Sequence, residues 1–132
     1  MKQLLHKSDF HTRKFSQHYV QNLLNWQTAQ MYEIGYLSVA LQDMRDITQY
    51  IAVQLQALDA AYRILDSIEG AIQQLTEFPY SFPVYRTIRP VQFEYRMLPV
   101  KNYLVFYTVF EEQKIVEVHR ILYAKRNVLT AL

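Results

Sequence analysis

The stretch KNYLVFYTVFEEQKIVEVHRILYAKR, residues 101–126, decides the fold. It contains two apolar runs, at about 103–110 and 115–123, and a charged break, EEQK, at 111–114. Runs rich in Tyr, Val, Phe and Ile are typical of β-strands, and the short break predicts a hairpin turn even without the favoured Asn-Gly or Asp-Gly pair. Arg and Lys gather where the second run ends. We therefore expect two antiparallel core strands that end in a basic, aromatic cluster.

A third strand is predicted just upstream, at about 93–99. It follows the turn-rich segment FPYSFPVY, residues 78–85, in which Pro79 and Pro83 end a preceding helix. Pro99 cannot donate a ladder hydrogen bond, so we expect it at a strand end or a bulge.

Two helices are predicted before these strands, over 39–56 and 59–77, with Ser38 and Asp59 as their N-caps. Apolar residues recur at the helical spacing of three and four. They are Leu41, Met44, Ile47, Ile51 and Leu55 in the first helix and Ala61, Ile64, Leu65, Ile68, Ile72 and Leu75 in the second. The join near Ala57–Leu58 is short, which predicts a helical hairpin.

The segment YEIGYL, residues 32–37, predicts a short first strand with Tyr32, Ile34 and Tyr36 on one side. The predicted order is therefore β-α-α-β-β-β. This is an α+β fold in which a helical hairpin packs on one face of a mostly antiparallel sheet.

Composition indicates one domain of 132 residues. The chain has no Cys, which excludes disulfides, thiolate metal sites and Cys nucleophiles, and is consistent with a cytoplasmic location. No apolar run is long enough for a membrane span. The histidines at 6, 11 and 18 are too loosely spaced for a ligand set, so we expect no metal and no cofactor.

Charge is unevenly distributed. Residues 37–78 carry two basic and six acidic side chains, whereas residues 79–132 carry eight basic and four acidic. Such a division can steer an anionic partner to the basic end, although an ordinary mixed surface gives a similar pattern.

The first thirty residues form a separate segment. Phe15, Tyr19, Leu23 and Trp26 share one face of a predicted helix over 15–29. The segment is either absent from the native protein, with Met31 as the true start, or a helix that covers part of the domain's own surface. We divide the chain into an N-terminal helical extension, 1–30, and a domain, 31–132.

Four pieces in this order resemble the RelE/ParE superfamily of toxins from bacterial type II toxin–antitoxin modules. They are DMRDITQYI, AAYRILDSIEGAIQQLTEFP, YRMLPVKNYLVFYTV and VEVHRILYAKRN, within residues 31–128. The family pattern begins at the first strand, so residues 1–30 depart from it. The resemblance implies a cytoplasmic toxin, often associated with plasmid stabilization, that is neutralised by a cognate antitoxin.

The resemblance leaves the target open. RelE-like members cleave mRNA on the ribosome without a metal, whereas ParE-like members block DNA gyrase, and a third possibility is an interaction module that keeps only the fold. Metal-free RNA cleavage needs a base, a proton donor and cations. The candidates for catalysis are Arg96, Tyr123 and Arg126, and those for binding are Lys101, His119, Arg120 and Lys125.

Several of these candidates have a structural alternative. Arg96 could instead pair with Glu69 or Glu77, His119 could be a packed imidazole, and Tyr103 and Tyr107 are expected in the core. The ribonuclease set also looks incomplete, because Leu104 follows Tyr103 where that branch usually has a cation.

Without residues 1–30 the chain carries ten basic and eleven acidic side chains, a net charge of −1, which is low for binding RNA. We therefore favour a growth-inhibiting toxin that binds gyrase, with the ribosome and mRNA as the alternative target. It would form a dimer or a hetero-oligomer with its antitoxin, and it needs no membrane.

Overall fold

The computed structural model describes residues 31–87, 91–126 and 131–132, and the predicted order of elements is confirmed there. The strands are β1 (Glu33–Tyr36), β2 (Arg96–Val100), β3 (Tyr103–Phe110) and β4 (Ile115–Tyr123). The helices are α1 (Ser38–Gln49), which continues as a π-helical turn (Tyr50–Gln54), and α2 (Leu58–Gln73), which ends in a 3-10 turn (Gln74–Thr76). The helix predicted over 15–29 lies outside the described residues.

The four strands form one sheet in the order β1-β4-β3-β2. The pairs β2/β3 and β3/β4 are antiparallel, and β1 runs parallel to β4. The bounds of β3 and β4 agree with the prediction from their apolar runs. The sheet is therefore mostly antiparallel, as expected.

The helix caps differ from the prediction. Leu37, not Ser38, occupies the N-cap position of α1, and Ser38 is the first helical residue. The backbone N–H of Leu37 donates to the carbonyl of Val118 at 3.0 Å, so the chain is still bound to β4 when the helix begins. Likewise Ala57 precedes α2, and Asp59 lies in its first turn, where its charge favours the helix dipole.

The end of the first helix also differs. The regular α-helix ends at Gln49 and is followed by a π-helical turn, which has more residues per turn than an α-helix. The side chains after Gln49 are therefore rotated away from the apolar face that the spacing of three and four predicts. Leu55 is consequently exposed, although Ile51 is buried. Leu41, also placed on the buried face by its spacing, is partly exposed at 37%.

Strand β2 begins at Arg96, three residues later than predicted. Just before it, the carbonyl of Tyr95 accepts a hydrogen bond from the backbone N–H of Tyr85 at 2.7 Å. This segment is also held to β3 by a side chain, because the hydroxyl of Thr108 donates to the carbonyl of Glu94 at 3.2 Å, but it forms no regular ladder there. Pro99 lies next to the last residue of this edge strand, where a missing N–H is tolerated.

Two apolar clusters cover the two faces of the sheet. The larger lies under the helical hairpin and contains twelve buried residues: Ala40, Met44, Ile68, Ile72, Leu75, Leu98, Val100, Val105, Tyr107, Val116, Val118 and Ile121. The predicted face of β1, Tyr32, Ile34 and Tyr36, packs against it. The smaller cluster, centred on Tyr95, Phe106 and Leu122, lies on the opposite face.

A β-bulge at His119 sets the orientation of the end of β4. The register passes from Tyr107–Val118 to Phe106–Arg120, so His119 is an extra residue on β4. Before the bulge, the even-numbered residues Val116 and Val118 of β4 are buried under the helices, and after it the odd-numbered Ile121 takes that position. The bulge thereby decides the direction of every side chain from Arg120 to the strand end.

Candidate functional site

Four of the seven candidate residues lie together at one end of the sheet. Val100, Tyr103 and Tyr123 are aligned across β2, β3 and β4, and Lys101 occupies the turn between β2 and β3. The backbone N–H of Ala124 donates to the carbonyl of Asn102 at 2.8 Å, which holds the end of β4 against that turn. We call the group formed by Lys101, Tyr123, Lys125 and Arg126 the basic rim.

The side chains of the basic rim are exposed. Tyr123 is 45% exposed, and its ring lies 5.7 Å from that of Tyr103, which fixes one face of the phenol. A tight turn, closed by the N–H of Arg126 donating to the carbonyl of Tyr123 at 2.9 Å, carries Lys125 and Arg126. Among the residues that the structure describes, no hydrogen bond or ion pair engages the charged ends of Lys101, Lys125 and Arg126.

Arg96 is not part of this group. Arg96 is the first residue of β2, where it lies opposite Tyr107. It precedes Val100 by four residues, so about 13 Å of strand separates Arg96 from the level of the basic rim. Its guanidinium donates to the carbonyl of Phe82 at 2.7 Å and lies 4.9 Å from the centre of the Tyr80 ring. The suggested partners Glu69 and Glu77 were wrong, because the loop before β2 reaches the guanidinium first.

Arg120 forms a salt bridge with Asp43 of α1. Its Nε and Nη2 donate to the two carboxylate oxygens at 2.8 and 2.9 Å, and Nη1 donates to the carbonyl of Ala131. Asp43 also accepts the backbone N–H of Ile121 at 2.9 Å. Strand β1 pairs with β4 only as far as Val118, so the backbone N–H of Ile121 has no partner on a neighbouring strand. The carboxylate of Asp43 provides the acceptor for that N–H.

His119 is buried and held on both sides of its ring. Its Nε2 lies 2.8 Å from Oε1 of Glu117, and its Nδ1 lies 3.3 Å from the hydroxyl of Tyr95. The rings of Phe93 and Tyr95 pack against the imidazole at 5.1 and 5.2 Å. Burial lowers the pKa of His119, and the hydrogen bond and charge of Glu117 offset this only in part.

The smaller cluster contains a shallow depression of about 230 Å³, beside His119 and Arg120. Val39 of α1 and Leu132 complete its wall. The polar side chains of His119 and Arg120 are already engaged with Glu117 and Asp43.

A further polar network lies at the opposite end of the sheet from the basic rim. Glu111, in the β3–β4 turn, accepts hydrogen bonds from the hydroxyls of Tyr32 and Tyr80, each at 2.6 Å, and pairs with Lys114. These contacts, that with Lys114 foremost, lower the pKa of Glu111 to about 2.

Sequence reasoning missed Asp43, Glu117 and the Glu111 network. Asp43 carried one available signal, since it stands between Leu41 and Met44 beside the predicted apolar face of the helix. No sequence signal connected the two tyrosines of the network to Glu111, because Tyr80 and Tyr32 are 31 and 79 positions away from it.

Within 31–87, 91–126 and 131–132, no group of three His, Cys, Asp or Glu is arranged to hold a metal ion. No helix in the same ranges is long and apolar enough to cross a membrane.

Comparison with known proteins identifies the fold family. The model of the ParE toxin of the type II toxin–antitoxin system parDE matches residues 36–128. Among solved structures, the chromosomal ParDE toxin–antitoxin system from P. aeruginosa is 16% identical, covers 73% of this chain and 99% of its own, and superposes with a TM-score of 0.59. No match was found among curated proteins.

The toxin–antitoxin complex RelBE2 from Mycobacterium tuberculosis is also 16% identical and covers 70% of this chain and 98% of its own, with a TM-score of 0.52. At this identity the two structures support the fold alone, and the family follows from the sequence model. The chain belongs to the ParE toxin family and is a RelE/ParE-type toxin of a type II toxin–antitoxin system.

Proposed function

We propose that this toxin inhibits growth by binding DNA gyrase through the basic rim, and that a cognate antitoxin neutralises it. The observation that carries the proposal is the composition of the rim. It gathers three exposed cations and a phenol on one turn-rich edge, with neither a carboxylate nor an imidazole among its four residues. Such a surface is suited to bind an anionic partner.

Cleavage of RNA is less well supported by the same geometry. Metal-free cleavage requires a group that removes the proton of the 2′-hydroxyl. His119, the only histidine after residue 18, is buried at the bulge, and Arg120 is engaged with Asp43. Arg96 lies about 13 Å along the strand from the level of Tyr123. Binding therefore fits the arrangement better than catalysis.

A gyrase supercoiling assay with purified protein tests the proposal. The double substitution Lys125→Glu with Arg126→Glu reverses two rim charges and should raise the half-inhibitory concentration by about tenfold or more. The matched control, Arg45→Glu with Arg63→Glu, makes the same change in net charge on exposed positions of α1 and α2 and should inhibit like the wild type. Equal loss in both double variants would argue against the rim as the binding site.

One observation favours a second function, ribosome-dependent mRNA cleavage. Tyr123 and Arg126 lie in one turn, joined by a backbone hydrogen bond of 2.9 Å, so the same turn carries a phenol and a guanidinium, two groups that can serve a phosphoryl transition state. In this case the wild type would cleave mRNA on ribosomes, Tyr123→Phe would lose the cleavage, and supercoiling would be unaffected. Absence of both activities would leave an interaction module.

The antitoxin is proposed as the partner that covers the rim. It would have to bring carboxylates to the three cations, because their charge is uncompensated among the described residues. The same double variant should therefore bind a purified cognate antitoxin more weakly than the Arg45 and Arg63 control, as measured by titration calorimetry. The oligomer formed with the antitoxin, a dimer or a larger hetero-oligomer, follows from the mass of the purified complex.

A further inference from the structure

Tyr50, at the end of the first helix, lies beside the basic rim. The backbone N–H of Leu37 donates to the carbonyl of Val118. Further along the helix, Asp43 accepts the backbone N–H of Ile121. Helix α1 therefore follows β4 in the same direction and advances by about 9 Å between these two contacts, a distance similar to that along the strand. The chain from Asp43 to Tyr50 adds about 10 Å of helix, which brings Tyr50 level with the end of β4.

Three tyrosines are consequently neighbours at this end of the sheet. The ring of Tyr103 lies 5.7 Å from that of Tyr123. Burial raises the pKa of Tyr103, and the phenols of Tyr123 and Tyr50 raise it further, so both lie close to it. Tyr103 is half-buried, whereas Tyr50 is 54% exposed. We call Tyr50, Tyr103 and Tyr123 the tyrosine strip, and it connects the basic rim to the helical hairpin.

Beyond Tyr50 the surface becomes apolar and then acidic. Tyr50, Val53 and Asp46 line a shallow depression of about 210 Å³, and Val53 is 62% exposed. The carboxylate of Asp46 accepts a hydrogen bond from Gln42, and it forms no ion pair within the described residues. Successive parts of one surface thus carry cations, aromatic rings and a carboxylate.

This order of charges favours a polypeptide over a nucleic acid as the occupant. A nucleic acid repeats its negative charge along its whole length and would be repelled at Asp46. A protein segment can instead carry acids, an apolar side chain and a cation in succession. Tyr and Arg are also the residue types that most often dominate the binding energy of protein interfaces. The large ring of Tyr provides contact area at a low cost in side-chain entropy.

We propose that the gyrase contact extends from the basic rim across the tyrosine strip to the depression at Asp46. Gyrase occupies this surface with a segment that has acids at one end, an apolar anchor in the middle and a cation at the other end. The acids pair with the rim, the anchor packs on Tyr50 and Val53, and the cation faces Asp46. The inference rests on the proposed function, because it takes gyrase as the partner.

Substitution of Tyr50 tests the aromatic part of this surface in the supercoiling assay. Tyr50→Ala should raise the half-inhibitory concentration at least about fivefold, whereas Tyr50→Phe, which keeps the ring, should inhibit like the wild type. Tyr62→Ala is the matched control, because Tyr62 is 57% exposed on α2 and does not line the depression. Equal inhibition by Tyr50→Ala and Tyr62→Ala would overturn the inference.

Charge reversal at Asp46 distinguishes a protein segment from a nucleic acid. Asp46→Lys repels the cation of the partner and should raise the half-inhibitory concentration by about threefold. Asp66→Lys makes the same change at an exposed position of α2 and should have no effect. A polyanion would be bound more tightly by Asp46→Lys. Stronger inhibition by this variant, or its tighter binding of labelled single-stranded DNA, would therefore overturn the inference.

The rim variant separates failure of the inference from failure of the proposed function. If Lys125→Glu with Arg126→Glu loses inhibition and Tyr50→Ala retains it, the rim alone binds gyrase and only the inference is overturned. If the wild type does not inhibit supercoiling, or the rim variant inhibits like the wild type, the proposed function is overturned as well. A toxin dimer that Tyr50→Ala dissociates, measured by analytical ultracentrifugation, would assign the tyrosine strip to a second copy and overturn the inference.

Discussion

Two arginines on the same stretch of chain, Arg120 and Arg126, differ in almost every physical respect. Arg120 lies in the middle of β4 and gives three N–H groups to Asp43 and to the carbonyl of Ala131. Arg126 follows the strand end, is exposed, and engages no partner with its guanidinium in the part of the chain that the structure describes. The first arginine holds α1 against the sheet, whereas the second is available to another molecule.

The difference shows that a basic cluster in the sequence can combine two separate roles. In HRILYAKR, residues 119–126, the histidine and first arginine are committed to the fold, and the last two cations extend into solvent. Removing one member of a buried pair leaves an uncompensated charge, but an exposed cation is solvated with or without neighbours. Stability measurements and binding measurements should therefore separate the two groups.

The largest effect is expected for Asp43→Ala, which turns Arg120 into an unpaired, largely buried cation. It also leaves the N–H of Ile121 without its acceptor. We expect a loss of about 3–5 kcal/mol in the free energy of unfolding, measured by urea denaturation. Asp46→Ala is the control, because Asp46 is exposed and, among the described residues, its carboxylate accepts a hydrogen bond from Gln42 alone. A loss similar to that of the control would contradict a stabilising role for the salt bridge.

A smaller effect on the free energy of unfolding is expected when a tyrosine hydroxyl is removed. Tyr107 and Tyr123 allow a matched comparison, because the same substitution by Phe can be made at a buried and at an exposed position. The Tyr107 hydroxyl is fully buried and donates to the carbonyl of Pro79 at 2.7 Å, and burial raises the pKa of Tyr107 to about 12. Tyr107→Phe leaves that carbonyl unpaired and should lower the unfolding free energy by about 1–2 kcal/mol. Tyr123→Phe should leave the urea midpoint unchanged. A larger loss of stability in Tyr123→Phe than in Tyr107→Phe would contradict the assignment of Tyr107 to the core and of Tyr123 to the surface.

A third effect depends on pH and concerns His119. Its pKa is lowered in the folded state, so the folded protein binds a proton less readily than the unfolded chain does. The corresponding stability is present above the ordinary pKa of about 6.5 and decreases as the pH falls through and below that value. Facing groups include Glu117 and the Tyr95 hydroxyl.

The measurement is the urea midpoint of the wild type and of His119→Gln at pH 7.5 and 5.5. We expect the wild type to lose more stability between these two pH values than the variant does. Subtracting the loss measured for His119→Gln from the loss measured for the wild type removes the contribution of the other titrating groups. An equal loss in both proteins would show that His119 does not titrate on unfolding.

The smallest effect on stability is expected at the basic rim itself. Arg126→Ala removes a solvated cation and should change the unfolding free energy by less than about 0.5 kcal/mol. The same variant should bind its target or antitoxin more weakly. Thermal denaturation monitored by circular dichroism gives the first quantity, and a marked drop in melting temperature would mean that Arg126, like Arg120, belongs to the fold.

Local pattern in the sequence was sufficient for the order of elements and for the bounds of β3 and β4. Two apolar runs rich in Val, Ile, Tyr and Phe around a charged break predict a hairpin, because a strand covered on both faces carries apolar side chains in succession. The paired helices followed from the spacing of their apolar residues. The two N-caps and the end of α1 were mispredicted, since Leu37 is held by β4 and the π-helical turn alters the spacing after Gln49.

What only the tertiary structure decided is the fate of each charged and polar side chain. Arg120 meets a carboxylate 77 positions earlier in the chain, and Glu111 collects hydroxyls from 31 and 79 positions away. The bulge at His119 places Arg120 opposite Phe106 and so reverses the direction of the side chains that follow it in β4. The strand ends at Tyr123, so Lys125 and Arg126 lie beyond it. A charge is neutralised by whatever the folded chain brings within about 3 Å, and that proximity depends on strand register and helix docking, which no local pattern encodes.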